Sequence, residues 1–142
     1  MTQALAVIDT SVIVLLLSTP GPTETEKVRL RRERAEVALA ALRSDGARFI
    51  VPTPVVAELY RNGKGSEVVR KKLVKHLKRT KLEALTYSAA DVAGEMSKKA
   101  LEERGPDNER GAVKYDALIA AIAHDIGARW LVTDNRKDMQ LC

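Results

Sequence analysis

The sequence predicts a three-layer α/β/α domain, in which a short, mainly parallel central sheet of four or five strands lies between helices. Short apolar runs of strand length alternate along the chain with longer stretches of helical periodicity. Strands and helices that alternate in this way are joined by right-handed crossovers, which gives a parallel sheet covered on both faces. The chain has no internal repeat and no long linker, so we expect residues 1–142 to form a single domain.

The predicted strands are short runs with the length and composition of buried β-structure. In chain order they cover residues 4–8, 48–51, 82–86 and 129–133. Asp9 directly follows the first run, and Asp134 directly follows the last. Because ligand sites in open parallel sheets collect at the carboxyl ends of the strands, we expect these two acids at the same edge of the sheet.

The predicted helices are the stretches with helical spacing of apolar residues or with helix-boundary signals. They cover residues 12–17, 23 to about 44, 53 onward, 66–79, 88–104 and 113–126. Thr23 with Glu26 predicts a capping box for the long second helix. Ser88 and Asp91 predict the start of the fifth helix, and Gly127 predicts the end of the last one.

Composition and charge narrow the class of protein. A net charge of +5 and a pI near 9.5 favour a polyanionic partner. Aromatic residues make up only 4% of the chain, which argues against a base-stacking platform. The only cysteine, Cys142, excludes a disulfide within the chain and fits a reducing compartment. The apolar opening run is interrupted by Asp9 and follows no basic residue, so we expect a soluble, cytoplasmic protein without a membrane span.

Four acids stand where an apolar strand or helix run begins or ends: Asp9, Glu58, Asp116 and Asp134. A carboxylate beside buried hydrocarbon loses hydration, and several converging carboxylates are tolerated when a cation neutralises them. Oxygen ligands without a histidine or cysteine suit Mg²⁺ or Mn²⁺, and neither histidine has the spacing of a zinc ligand. The four acids are therefore a candidate site for a divalent metal ion.

In these segments the chain resembles the PIN-domain ribonucleases, and among them the VapC-type toxins of bacterial toxin–antitoxin pairs. The resemblance runs along the whole chain in the order that is typical of the family. It includes an Asp-Thr-Ser after the first strand, a glutamate in the helix after the second strand, an aspartate that starts a long apolar helix, and a Thr-Asp-Asn after the last strand. These motifs lie at residues 7–13, 52–59, 115–123 and 131–135.

The resemblance implies a single PIN-like nuclease domain that hydrolyses RNA phosphodiester bonds with Mg²⁺ (or Mn²⁺) as cofactor. Asp9, Glu58, Asp116 and Asp134 would be the catalytic, metal-binding residues, with Asn135 as an alternative to Asp134 because family members often place this ligand two residues after the threonine. The ion would activate a water molecule for in-line attack on the phosphodiester. The implied partners are an RNA substrate and a cognate antitoxin protein. A homodimer is also expected, since the apolar positions of the helix at residues 24–44 extend beyond one stripe, which suits either a dimer or antitoxin interface or core packing alone.

Other side chains have candidate supporting roles. Thr10 and Ser11 are candidates for hydrogen bonds that orient Asp9, with ordinary turn formation as an equal alternative. The basic segment that follows the third helix is either a solvated helix face or a surface that contacts phosphates. Its candidate RNA-backbone contacts are Arg61, Lys64, Lys71, Lys72 and Lys75.

Simpler interpretations exist for each acid and for the function. Asp9 and Asp134 are also typical turn residues, Asp116 suits the first turn of a helix, and Glu58 suits a partly exposed helix position. Two other functions stay open: a catalytically inactive PIN-like domain that binds RNA or acts as a scaffold, and a phosphoaspartyl enzyme or switch. A phosphoaspartyl hydrolase requires a second acid two residues after the first, where this chain has Ser11. A receiver-like switch requires an adjacent acidic pair and a later lysine at a strand end.

Overall fold

The structure, a computed structural model of the chain, describes residues 3–17, 22, 24–59, 71, 75, 80–104 and 110–134. The strands are β1 (Leu5–Ile8), β2 (Arg48–Pro52), β3 (Lys81–Glu83) and β4 (Trp130–Val132). The helices with defined bounds are α1 (Thr10–Leu17), α2 (Glu26–Ser44), α3 (Thr53–Leu59), α4 (Tyr87–Arg104) and α5 (Arg110–Asp125).

The four strands form one parallel sheet in the order β3-β2-β1-β4. This sheet, with its connecting helices, confirms the predicted three-layer α/β/α fold. From β1 the chain moves outward through β2 to β3, and it then returns to the other side of β1 to form β4. The strand order therefore reverses between β1 and β4, where Ile8 lies opposite Val132. In open parallel sheets the crevice at such a reversal is the usual position of a ligand site.

The core lies where the apolar runs of the strands meet apolar helix faces. Val7 in β1, Ile50 in β2 and Ile119 in α5 are each at most 1% exposed. Helix α5 packs against β1 and β4 and also against α3 and α4. Ile122 belongs to a second apolar cluster, which joins α5 to the small buried residues of α4. Burial of these side chains supplies the main driving force that holds α5 on the sheet.

The start of α2 differs from the prediction of a capping box by Thr23 and Glu26. The N-cap is Thr25, whose Oγ1 accepts a hydrogen bond of 3.3 Å from the backbone N–H of Val28. Thr25 lies three residues before Val28, the distance at which a threonine oxygen reaches a free N–H of the first turn. Glu26 is therefore the first helical residue, and Thr23 lies outside the described residues.

The start of α4 also differs from the prediction, which placed Ser88 and Asp91 at the cap. Strand β3 ends at Glu83, which is earlier than predicted, and Thr86 in the following connection caps the helix. Its Oγ1 accepts a bond of 3.0 Å from the N–H of Ala89 and donates one of 2.8 Å to Asp125. Thr86 therefore joins the start of α4 to the end of α5, a long-range contact that local sequence patterns do not reveal.

The predicted end of the last helix at Gly127 is confirmed. Helix α5 ends at Asp125, and Gly127 follows with φ of 68°. The N–H of Gly127 bonds to the carbonyl of His124 at 3.1 Å, and that of Ala128 bonds to the carbonyl of Ala123 at 2.9 Å. Glycine adopts this left-handed conformation without strain, which lets the chain turn directly into β4.

Most of the predicted basic helix 66–79 lies outside the described residues. Lys71 and Lys75 are described, and both are helical and exposed, as predicted for that segment. Arg61, Lys64 and Lys72 lie outside the described residues. Among the helices that the structure describes, none is long and apolar enough to cross a lipid bilayer.

Arg32 links α2 to α1 from a buried position in the charged first half of α2. Its Nε donates a hydrogen bond of 3.0 Å to the carbonyl of Leu15, and its guanidinium also pairs with the Glu24 carboxylate. The hydrogen bond and the positive charge of Arg32 lower the pKa of Glu24 below its ordinary value. The same hydrogen bond and the negative charge of Glu24 raise the pKa of Arg32. A buried arginine with two acceptors fixes how α2 lies on α1.

We predict that Glu24→Gln lowers the free energy of unfolding at neutral pH and weakens its dependence on pH in the acidic range. A carboxyl whose pKa is lower in the folded than in the unfolded protein stabilises the fold above its ordinary pKa. That contribution is lost as the pH falls from the ordinary value of 4.5 through the lower pKa of the folded protein. Urea unfolding of both proteins from neutral to acidic pH measures the difference.

Glu26→Gln is the matched control for this prediction. Glu26 pairs with Arg29 at 3.5 Å on the exposed side of the same helix. Exposed pairs contribute roughly 0–1 kcal/mol, so this variant should unfold much like the wild-type protein at every pH. A Glu24→Gln variant with the pH dependence of the wild type would show that the Glu24–Arg32 pair does not stabilise the fold.

Candidate functional site

Asp9 is the centre of the candidate site, because the fold places it at the reversal of strand order. It follows the last residue of β1 and precedes the first residue of α1. Its backbone N–H donates a hydrogen bond of 2.9 Å to the carbonyl of Val132, which extends the β1–β4 pairing by one residue. Its side chain is only 2% exposed. Few water molecules reach a carboxylate in such a position, so neighbouring protein groups must supply its hydrogen bonds.

Three donors orient the Asp9 carboxylate. Oδ1 accepts the backbone N–H of Thr10 at 2.8 Å. Oδ2 accepts the hydroxyl of Ser11 at 3.0 Å and the hydroxyl of Thr133 at 2.7 Å. A carboxylate offers about four lone-pair positions, so these bonds fix its plane and still leave acceptor capacity for a cation. The donors come from both sides of the β1–β4 junction, so the site depends on correct pairing of the two strands.

The predicted supporting roles of Thr10 and Ser11 have different outcomes. Ser11 orients Asp9 through its side chain, as proposed from the sequence, and its Oγ also accepts the N–H of Asp134 at 2.9 Å. Thr10 contributes its backbone N–H, which is the turn chemistry that the sequence left as an alternative. Its hydroxyl is buried and makes no hydrogen bond within the described part of the chain.

The backbone of Asp134 is connected to Asp9 through Ser11, but the Asp134 carboxylate pairs with Arg31. The guanidinium of Arg31, on α2, donates to Asp134 Oδ2 through Nε at 2.7 Å and also through Nη2. The structure therefore brings Asp134 to the predicted edge of the sheet with a positive charge already paired to it. Asn135, the alternative ligand, lies outside the described residues.

Asp116 and Glu58 lie on the two helices that pack beside this edge. Asp116 is in α5 and is 6% exposed, although aspartate is rarely buried to that degree. Its Oδ2 atom is buried and receives no hydrogen bond from the described residues, while the residue has other interactions. Glu58 is half-buried near the end of α3, which packs against both α1 and α5. Their roles as ligands stay predictions.

The donor set suits a divalent cation, although a complete ligand cluster is not assembled in the described residues. Within these residues no group of three or more histidine, cysteine or acidic side chains is close enough together to hold a metal ion. Asp9 and Asp116 are nevertheless two buried carboxylates on elements that pack together. Buried carboxylates need a compensating positive charge, and carboxylate oxygens are the ligands that Mg²⁺ and Mn²⁺ prefer.

The sequence did not identify two residues of this network, Thr133 and Arg31. Thr133 has a local signal, since a hydroxyl at the end of β4 directly before an acid suits a hydrogen bond across the sheet edge. Arg31 has no such signal. It is one of several arginines in α2, and its partner Asp134 lies 103 residues further along the chain.

Comparison with known proteins gives a family and a fold. The PIN domain model matches residues 6–139 of the chain. Among curated proteins, none matches the chain closely enough to indicate a relationship. Eighteen solved chains match the structure. The similar complexes from Rickettsia felis, Haemophilus influenzae and Salmonella typhimurium are less than 25% identical to this chain, so they show the fold alone.

Three of the similar structures are complexes named VapBC. VapBC2 from Rickettsia felis, bound to a DNA fragment from its promoter, matches with a TM-score of 0.67 and 21% identity over 96% of this chain and 92% of that chain. VapBC-1 from nontypeable Haemophilus influenzae matches with a TM-score of 0.63 and 19% identity over 96% and 91%. DNA-bound VapBC from Salmonella typhimurium matches with a TM-score of 0.59 and 17% identity over 98% and 92%.

Proposed function

The chain belongs to the PIN domain family, and we propose on that premise that it is a metal-dependent endoribonuclease, the toxin component of a toxin–antitoxin pair. The observation that carries the proposal is the Asp9 carboxylate, which is buried at the reversal of strand order and oriented by three donors. A fold seldom keeps such a buried charge unless it serves a function there. The similarity to VapBC complexes supports the toxin assignment.

In this proposal Asp9 and Asp116 hold Mg²⁺ (or Mn²⁺), and Glu58 completes the pocket directly or through water. When bound, the ion supplies positive charge that activates water and stabilises the charge developing on the phosphate. Asp9 would bind the ion with a carboxylate of fixed orientation, because hydrogen bonds from Thr10, Ser11 and Thr133 prevent its rotation. Glu58 is half-buried near the end of α3, so part of its side chain is accessible to solvent.

The proposed substrate is single-stranded or looped RNA, recognised mainly through its backbone and shape. The net charge of +5 favours such a polyanion. Lys71 and Lys75 are both helical and exposed, so their charges are accessible to a polyanion. Contacts of this kind would offset the repulsion between the phosphate backbone and the acidic pocket.

Two partners belong to the proposal. The first is a cognate antitoxin, since similar solved structures are VapBC complexes. The second is another copy of the chain, since the sequence predicts a homodimer. Light scattering after size-exclusion chromatography, with and without a co-expressed partner encoded beside the gene, would measure both assemblies.

We predict that the purified protein cleaves RNA only with a divalent metal ion, and that Asp116→Asn removes this cleavage. Loss of the partner of a metal ligand costs roughly 10- to 100-fold in activity or metal affinity, so loss of the Asp116 carboxylate should cost at least about 100-fold. Cleavage of a labelled RNA with Mg²⁺, Mn²⁺ or a chelator provides the measurement.

Asp91→Asn is the matched control, because it makes the same chemical change at an exposed position in α4. It should cleave RNA at the rate of the wild type. Cleavage that continues in a chelator, or that is equal in Asp116→Asn and Asp91→Asn, would rule out the proposed site. A protein that binds Mn²⁺ through Asp9 but cleaves no RNA would instead be a silent RNA-binding or scaffold domain.

A further inference from the structure

The turn after β4 is attached to α2 by an ion pair that lies next to the proposed active site. Arg31 donates two hydrogen bonds to one oxygen, Oδ2, of the Asp134 carboxylate. Both side chains are part-exposed, at 39% for Arg31 and 22% for Asp134. An ion pair in such a position contributes little to stability, so its two-donor geometry points to a role other than holding the fold together.

The same turn provides the groups that orient Asp9. The backbone N–H of Asp134 donates to Ser11 Oγ at 2.9 Å, and the Ser11 hydroxyl in turn donates to Asp9 Oδ2 at 3.0 Å. Thr133, the residue before Asp134, donates to the same Asp9 oxygen at 2.7 Å. One bond to Asp9 Oδ2 therefore comes directly from the turn at residues 133–134, and the donor of the other, Ser11, is itself hydrogen-bonded to that turn. Arg31 attaches this turn to α2 through the Asp134 carboxylate.

We propose that Arg31 and Asp134 are positioning residues: their ion pair holds the turn after β4 so that Thr133 and Ser11 orient Asp9 for the metal ion. This inference rests on the proposed function. It gives Asp134 a different role from the ligand role suggested by sequence, because its carboxylate acts on Arg31 and its backbone acts on Ser11. A ligand held by a fixed partner binds metal more tightly than one that must be ordered on binding.

The test is an exchange of the two charges, with Mn²⁺ affinity measured by calorimetry. Arg31→Asp alone and Asp134→Arg alone should each weaken Mn²⁺ binding by roughly 10- to 100-fold, because each places like charges together and releases the turn. The double variant restores an ion pair, and should return to within about fivefold of the wild-type affinity. An arginine at position 134 cannot ligate a cation, so recovery in the double variant identifies positioning.

Three further variants separate the possible outcomes. Arg34→Asp makes the same charge change at an exposed position on α2 and should bind Mn²⁺ like the wild type. Asp9→Asn reports on the proposed function itself and should lose binding. If a single charge exchange prevents folding, which circular dichroism would show, Arg31→Gln takes its place. Its side chain is neutral and too short to reproduce the two hydrogen bonds to Asp134, so it should still weaken binding.

Two results would overturn the positioning role while Asp9→Asn still loses Mn²⁺ binding. A double variant as weak as Asp134→Arg would show that an ion pair between positions 31 and 134 does not restore binding, as expected if the Asp134 carboxylate itself contacts the metal. Variants of Arg31 that bind Mn²⁺ as tightly as the wild type, or more tightly, would show that the ion pair does not support Asp9. Unchanged binding in Asp9→Asn is a different failure, since it would remove the proposed metal site altogether.

Discussion

Asp9→Asn is expected to abolish the stabilisation of the protein by Mn²⁺ and to reduce RNA cleavage by more than about 100-fold. At a concentration 100 times its dissociation constant, a ligand that binds only the folded state adds about 2.7 kcal/mol to the free energy of unfolding. The wild type should show this increase in chemical unfolding with Mn²⁺, and Asp9→Asn should not. The measurement needs no RNA and so reports on the site directly.

The asparagine variant should fold, because most of the network around Asp9 tolerates it. An amide oxygen can still accept the N–H of Thr10, and the hydroxyls of Ser11 and Thr133 can accept from the amide nitrogen as well as donate. The variant therefore removes the negative charge while nearly keeping shape. Its free energy of unfolding without metal should lie within about 1–2 kcal/mol of the wild type, the range typical of a changed hydrogen bond.

Asp91→Asn again provides the control, since the exposed Asp91 carboxylate has no part in the β1–β4 junction. Its stabilisation by Mn²⁺ should equal that of the wild type. Stabilisation of Asp9→Asn to the same extent would mean that the cation binds elsewhere, and the nuclease proposal would lose its central residue.

The fold could be predicted from sequence because its signals are local and repeated. A buried strand such as Leu5–Ile8 is apolar along its whole length, whereas the helices have apolar residues at helical spacing. Because strands and helices alternate along the chain, a parallel sheet covered by helices is the expected fold. Element boundaries were predicted less well, because Thr25 and Thr86 compete with nearby polar residues for the same capping role.

The candidate site could be predicted only in part, for a reason that Asp9 and Arg31 illustrate. Asp9 is recognisable because an acid directly after a buried strand is a local feature with few structural explanations. Arg31 is one basic residue among many in α2, and its meaning comes from contact with Asp134 across the fold. Sequence spacing cannot reveal such a pair, since it depends on how α2 lies beside the end of β4.

Ile119→Ala is expected to destabilise the protein by about 2–5 kcal/mol, the largest stability change among the variants considered. Ile119 is fully buried in α5 and belongs to the main core beneath the sheet. Its truncation removes buried hydrocarbon and leaves a cavity that the surrounding residues fill only in part. Ile119→Val, which deletes one methylene, should cost about 0.5–1.5 kcal/mol. Urea unfolding measures both, and Val37→Ala, at a 70% exposed position of α2, should change the free energy by less than about 0.5 kcal/mol.

The same residue connects packing to function, because Asp116 lies one helical turn before it on α5. Ile119 is buried in the same core cluster as the strand residues, so its packing contributes to the position of this turn of α5 and of Asp116. Ile119→Ala should therefore weaken Mn²⁺ binding as well as stability, even at temperatures where the variant is fully folded. Metal affinity that is unchanged in the folded variant would mean that Asp116 is positioned by its own contacts, or that it is not a ligand. In that case the metal-binding role would rest on Asp9 and the acids outside α5.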